Sequence, residues 1–287
     1  MPATTGLVPE RARHGLDDLA ERATFIRLET LRLARIAGAG HYSGTFSCAE
    51  LLAALYYREL RVNPADPGWP DRDRFVLSKG HAAIGLYPVL ADLGYFDPAE
   101  LDGYTRLGSP YGDHPDMRKV RGADFSSGSL GHGLSVGVGM ALGGRLAGRD
   151  FRTYVMVGDG ELAEGQVWEA AMAASHFRLG RLVCIVDRNQ LCLDGRTEDV
   201  MGVEPLDERF ASFGWQVQRI DGHDLKAILG AFDRLDDSSG KPHVIIADTV
   251  KGKGVARMEL DLDWHVGILS PEDHAAVEAE LRGRARS

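Results

Sequence analysis

The run Val157-Gly158-Asp159-Gly160-Glu161 lies thirty positions ahead of Asn189. Asp159 offers a carboxylate oxygen and Asn189 a neutral amide oxygen. Each follows an apolar run that reads as a buried parallel strand. On neighbouring strands the two would reach adjacent strand ends, where one Mg²⁺ could hold a diphosphate. The backbone carbonyl of Leu191 could add a third oxygen. Gly158 and Gly160 permit a tight turn whose N–H groups can face an anion, and a helix opening near Gly165 adds its positive end. Gly-Asp-Gly alone also fits a surface turn; the strand context and the spacing to Asn189 carry the stronger reading. A dinucleotide fingerprint is poorly matched, because no Gly-x-Gly-x-x-Gly opens a helix after a strand at the start of a βαβ unit.

Four histidines, His41, His81, His114 and His265, stand in polar, Gly-rich contexts at predicted element ends. Imidazole suits proton transfer near neutral pH. Each one alone also reads as a surface residue or helix cap, and spacing does not join them. Glu164 and Glu169 project about 140° apart on a helix and, as a pair, read as solvated charges. Glu161 fits a role orienting the turn. Lys79, Lys251 and Lys253 fit phosphate contacts or plain solubility. His176, His223 and His243 are read as incidental, and Trp168, Met172 and Phe177 as core or interface.

The elements that must position these groups follow a βα rhythm. Helices are predicted at 17–37, at 48–60 behind a capping Ser47, at 82–93, 131–146, 165–177, 205–212, 224–236 and 271–283. Strands are predicted at 75–77, 153–157, 182–187, 215–220 and 243–248. The runs Leu182–Val186 and Val244–Ala247 are nearly all apolar, as in parallel strands covered on both faces. The expected fold is α/β, a mostly parallel central sheet with helices on both faces. Gly133, Gly137 and Gly139 inside one helix argue for close packing against a backbone or a cofactor. Residues 62–74 read as a surface loop. Residues 105–129 form a long loop of the kind that is functional or disordered. The reading is an N-terminal extension over 1–16 and one domain over 17–287.

Composition limits the partners. The 287 residues are 44% hydrophobic, enough for one large core, and the 35 glycines follow no repeat period. A net charge of −9 disfavours nucleic acid, which needs a basic footprint. No apolar run suggests a leader or a membrane span. The three cysteines show no metal spacing, so a cytoplasmic location is expected.

Several ordered segments together resemble the N-terminal, diphosphate-binding portion of transketolase. They are Ala39-Gly40-His41, Leu77-Ser78-Lys79-Gly80-His81, Asp113-His114-Pro115, Gly128-Ser129-Leu130-Gly131-His132-Gly133, Gly158-Asp159-Gly160-Glu161 through Asn189, and Lys251-Gly252-Lys253-Gly254 through His265. The likeness spans about residues 20–270 and is strongest to split bacterial transketolases, whose halves are separate polypeptides. It implies thiamine diphosphate and Mg²⁺ as cofactors. It implies Asp159, Asn189 and the Leu191 carbonyl as metal ligands. Gly160 and the backbone near Gly128 and Leu130 would hold the diphosphate and the ring system, with Gly158 and Glu161 in the same turn and His81 approaching the diphosphate. His41, His114 and His265 would line a substrate channel. Glu164 and Glu169 would join a carboxylate network at an interface between chains. His132 departs from the Gln often found in the family. The implied reaction moves a two-carbon ketol unit from a ketose to an aldose. A glutamate donated by a second, pyrimidine-binding chain of roughly 300 residues would complete the site, in an α₂β₂ heterotetramer. Deoxyxylulose-phosphate-synthase-like or 2-oxo-acid-dehydrogenase-like chemistry, and a non-catalytic homologue, are the competing expectations.

Overall fold

A computed structural model describes residues 14–284. The expected N-terminal extension falls almost wholly outside the described residues. The chain runs through α1 (Leu16–Ala37), α2 (Tyr42–Phe46), α3 (Ala49–Ala54), β1 (Arg74–Leu77), α4 (Ala83–Asp92), α5 (His132–Leu146), β2 (Thr153–Gly158), α6 (Gly165–His176) and β3 (Leu182–Arg188). It continues through α7 (Thr197–Val200), α8 (Leu206–Ser212), β4 (Gln216–Asp221), α9 (Leu225–Asp233), β5 (His243–Asp248) and α10 (Pro271–Arg284). The sheet order is β1-β2-β3-β5-β4, and every pairing is parallel.

Alternation along the strands explains the continuous apolar runs. Tyr154, Met156, Val183, Ile185 and Ile245 face a core built with α1, α3, α4 and α9. Val155, Val157, Cys184, Val186, Val244 and Ile246 face a second core built with α5, α6 and α8. Successive side chains point to opposite faces, so a strand covered twice must be apolar throughout. β1 and β4 are the edge strands; β1 is mostly buried, and most β4 residues are half-exposed or exposed.

Two of the glycines inside α5 behave as expected. A Cβ on Gly133 would stand 2.3 Å from the Ser78 Cβ, and one on Gly137 would stand 2.4 Å from Val155 Cγ2. Helix α5 therefore lies directly on β1 and β2. Gly139 differs, since nothing lies within 4 Å of its Cβ position. The helix expected over 48–60 starts at Ala49 and passes into a π-helical turn over Leu55–Glu59. Ser47 does not cap it. Its hydroxyl donates to Asp187 Oδ2 at 2.7 Å, because a buried carboxylate is the stronger acceptor. Residues 105–129 carry no regular element, as expected.

Candidate active site

The carboxyl ends of β2 and β3 stand side by side, with Gly158 opposite Asp187 in the register. Asp159 follows immediately and is buried. Its Oδ2 accepts from the Gln190 backbone N–H at 2.6 Å, from Arg188 Nη1 at 2.7 Å and from Thr197 Oγ1 at 3.2 Å. Gln190 lies between Asn189 and Leu191, so the carboxylate touches the short segment that bears the other two expected oxygens. Gln190 has φ +69°, a left-handed conformation costing about 1–2 kcal/mol for an L-residue. That reversal lets both Asn189 and Leu191 line the cavity that Asp159 lines.

A polar knot beneath the cavity orients the amide. Asp187 is fully buried and accepts from Ser47, Lys79, Thr249 and, at 3.1 Å, Asn189 Nδ2. With its nitrogen committed to Asp187, Asn189 presents Oδ1, which among the described residues accepts only the Leu191 N–H at 3.3 Å. Burial alone would discharge Lys79, but the Asp187 carboxylate outweighs it and raises the ammonium pKa. Burial likewise opposes the Asp187 charge, and Lys79 with the hydroxyl donors holds that pKa below its ordinary value. For Asp159 burial wins over Arg188, and its pKa is raised.

The donors of this cradle are a carboxylate, an amide and a carbonyl, all oxygen. Such a set suits Mg²⁺. Two of the three already hold cations: Asp159 pairs with Arg188, and the Leu191 carbonyl accepts from Lys251 Nζ at 2.8 Å. The residues thus fit a divalent ion with a diphosphate, and the cavity of about 330 Å³ beside them has room for one.

Glu161 is buried at the junction of three elements. It accepts from Ser78 Oγ, from Gly131 N at 2.8 Å and from Gly158 N at 3.0 Å. It ties the ends of β1 and β2 to the start of α5, and burial raises its pKa. This matches the turn-orienting role.

The four histidines come together. Ring centroids are 5.4 Å apart for His41 and His81, 5.7 Å for His41 and His265, 5.7 Å for His81 and His265, and 6.5 Å for His41 and His114. Their environments differ. Lys251 Nζ donates to His265 Nδ1 at 2.8 Å, and burial followed by the Lys251 charge lowers the His265 pKa to about 3. Burial, then Lys79 and the neighbouring imidazoles, pushes His81 well below its usual range. Both rings are therefore neutral at pH 7. Burial, then the Lys79 charge, lowers Lys251 itself to about 8. His41 instead meets Asp113 Oδ1 at 3.2 Å, and His114 stands 3.6 Å from the other oxygen of that carboxylate. His41 and His114 thus share the Asp113 carboxylate, which fixes the orientation of the His41 ring.

His81, Leu130, Gly158, Asp159, Gly160, Glu161, Asn189, Leu191 and His265 all line the one cavity. Gly128 sits beside the His114 ring at the rim. Glu164 does not reach the cavity; it is exposed at the start of α6, as is Glu169 further along. Sequence left Lys79 and Lys251 open between phosphate contact and solubility, and both are buried at the site. Arg188, Asp187, Ser47 and Thr249 were not foreseen. The available signal was the Asp187-Arg188 pair ending an apolar strand, where burial without a partner is costly. His223 is not incidental: its Nε2 accepts from the Val250 N–H at 2.8 Å, so its Nδ1–H donates to Glu50 at 3.0 Å.

Comparison with known proteins agrees with this geometry. Residues 20–283 match the family model described as transketolase, thiamine diphosphate binding domain. The chain is 44% identical over 264 residues to the 6-deoxy-6-sulfo-D-fructose transketolase subunit SqwG of Clostridium sp., covering 92% of this chain and 96% of that one. It is 42% identical over 248 residues to an apulose-4-phosphate transketolase subunit from Phocaeicola vulgatus, covering 86% and 88%. Among solved structures, transketolase from Campylobacter jejuni superposes with a TM-score of 0.87 at 30% identity, over 95% of this chain and 43% of that one. With a family match over most of its length, the chain belongs to the transketolase family and corresponds to its thiamine diphosphate binding domain.

Proposed function

We propose that the chain is the N-terminal subunit of a two-chain transketolase, a transferase that moves a two-carbon ketol unit from a ketose to an aldose. The observation that carries the site assignment is the Asp159 carboxylate resting on the Gln190 N–H, between Asn189 and Leu191. Asp159, Asn189 and the Leu191 carbonyl would hold Mg²⁺. Gly160, Lys79, Lys251 and His81 would face the diphosphate, with Leu130 and the backbone near Gly128 beside the rings. Residues 17–287 would form one diphosphate-binding domain. Thiamine diphosphate, when bound, supplies a nucleophilic carbon and a sink for the electrons of the broken carbon–carbon bond.

The chain's own residues do the rest. Lys251 and Lys79 set a positive floor, and the metal would replace the ammonium of Lys251 at the Leu191 carbonyl. Neutral His81 and His265 donate and accept hydrogen bonds without adding charge. His41, backed by Asp113, takes and returns protons at sugar hydroxyl and carbonyl oxygens, with His114 at the rim. Glu164 and Glu169, exposed on α6, would meet a second chain. The partner would bring a pyrimidine-binding domain with its glutamate, in an α₂β₂ assembly in the cytoplasm. The two relatives described above are named for 6-deoxy-6-sulfo-D-fructose and for apulose 4-phosphate. Among the described residues lining the cavity, the lysines are both committed inward, so the partner would select the sugar's charged end.

The test is to mix this chain with its partner, thiamine diphosphate and Mg²⁺. Ketol transfer from a ketose donor should appear only in the mixture. Transfer by the isolated chain, or formation of deoxyxylulose phosphate from pyruvate, would contradict the proposal.

A further inference from the structure

A second cavity, of about 200 Å³, opens at the opposite end of the sheet, where the chain enters β2 and β3. Six-residue β2 separates it from the catalytic cavity by roughly 20 Å. Arg145, Arg149, Arg178 and Arg181 surround it, with Asp237 as its one carboxylate and Phe151 in its floor. Asp237 is already shared, accepting from Arg152 at 2.9 Å and lying 3.5 Å from Arg181. Arg149 pairs with Asp71 at 3.2 Å. Among the described residues Arg145 donates only to the Phe177 carbonyl. Among the described residues neither Arg145 nor Arg178 has a carboxylate partner.

This surplus of positive charge stands in a chain of net charge −9. Arg178 also occupies a left-handed position, φ +53°, just past the end of α6. Its N–H donates to Ser175 O, and the next N–H donates to Ala174 O, the pattern of a helix stop where Gly is favoured. The chain keeps a guanidinium there against that preference. Guanidinium forks match the oxygens of a tetrahedral anion. The cavity's size suits a small ester and excludes a nucleotide.

We propose that this arginine pocket binds a small phosphorylated metabolite, at a site separate from the catalytic cavity. The proposal does not rest on the transketolase reading. It is tested by calorimetric titration of the full chain, in phosphate-free buffer, with glycerol 3-phosphate and with inorganic phosphate. The expected result is saturable binding of the ester at about 1 mM or tighter, tighter than inorganic phosphate. The double variant R145Q/R178G should weaken it at least ~10-fold. Gly at 178 suits the backbone and Gln at 145 can still donate to Phe177, so this variant should fold, as a thermal melt will verify. Lys251→Met (K251M), altered in the catalytic cavity, should bind the ester as the parent does.

No heat of binding up to about 20 mM ester would overturn the proposal. Unchanged affinity in R145Q/R178G would do so as well, leaving the arginines as helix-end partners only. Loss in K251M alone would place the anion in the catalytic cavity. Ester binding no tighter than inorganic phosphate would remove the metabolite from the proposal.

Discussion

The site has two sides built on different principles. The proposed metal cradle comes from consecutive, hydrogen-bonded strands, with Asp159 just past β2 and Asn189 just past β3. The histidine side draws His41, His114 and His265 from three separate loops and His81 from a short 3₁₀ turn before α4. The cradle and the knot beneath it are charged: Asp159 holds Arg188, Asp187 holds Lys79, and the neutral Leu191 carbonyl accepts from Lys251. On the histidine side, burial and the nearby lysines keep His81 and His265 neutral, while Asp113 backs His41. On the proposed reading, one side would bind a doubly charged ion with an anion, and the other would handle protons without holding extra charge.

Breaking the cradle should have the largest effect. Asp159→Asn (D159N) keeps the shape but removes the charge that would face the metal. Ketol transfer by the assembled enzyme should fall at least ~100-fold, measured as initial rate across Mg²⁺ concentrations. Next comes the knot beneath it. Lys79→Met leaves Asp187 buried without its ion-pair partner, and unfolding stability should drop about 3–5 kcal/mol in a denaturant titration. Glu161→Ala strips three donors of their acceptor and should cost about 1–3 kcal/mol by the same measurement, even without cofactor.

The histidine side sharpens the contrast through pH. His265 titrates near 3 when folded, against about 6.5 unfolded. Below 6.5 the unfolded chain binds the proton and the folded chain does not. Stability should therefore fall as pH drops from 7 toward 4, and His265→Asn should flatten part of that slope. In Lys251→Met the His265 pKa should rise, as an NMR titration of its ring protons would show. A fixed His265 pKa in that variant would mean Lys251 does not set it. The smallest effect is expected at Glu169, exposed on α6. Glu169→Ala should change the stability of the isolated chain by no more than about 0.5 kcal/mol.

The same contrast explains what could be read from sequence. Two apolar runs ending in Gly-Asp-Gly and Asn predicted adjacent strand tips, because parallel strands covered on both faces leave a plain record in residue type. The histidines left no such record. Nothing in their spacing joins residues 41, 81, 114 and 265, and the family resemblance had to do so. Ser47 shows how a local rule loses to tertiary structure: a serine before an apolar helix reads as a cap, yet its hydroxyl serves Asp187 from 140 positions away. His223 reads as incidental in sequence because its partners, Glu50 and Val250, are remote from it. Gly139 shares a helix with Gly133 and Gly137, yet it faces away from the sheet, and residue type alone does not separate them.

The most direct test of the shared-ion cradle is a calorimetric titration of thiamine diphosphate into the assembled enzyme, with Mg²⁺ and then with excess chelator. Parent protein and D159N should be compared side by side. The account expects Mg²⁺-dependent binding in the parent that chelator abolishes, and affinity at least ~100-fold weaker in D159N. Equal affinity in the two proteins, or parent binding indifferent to chelator, would contradict it.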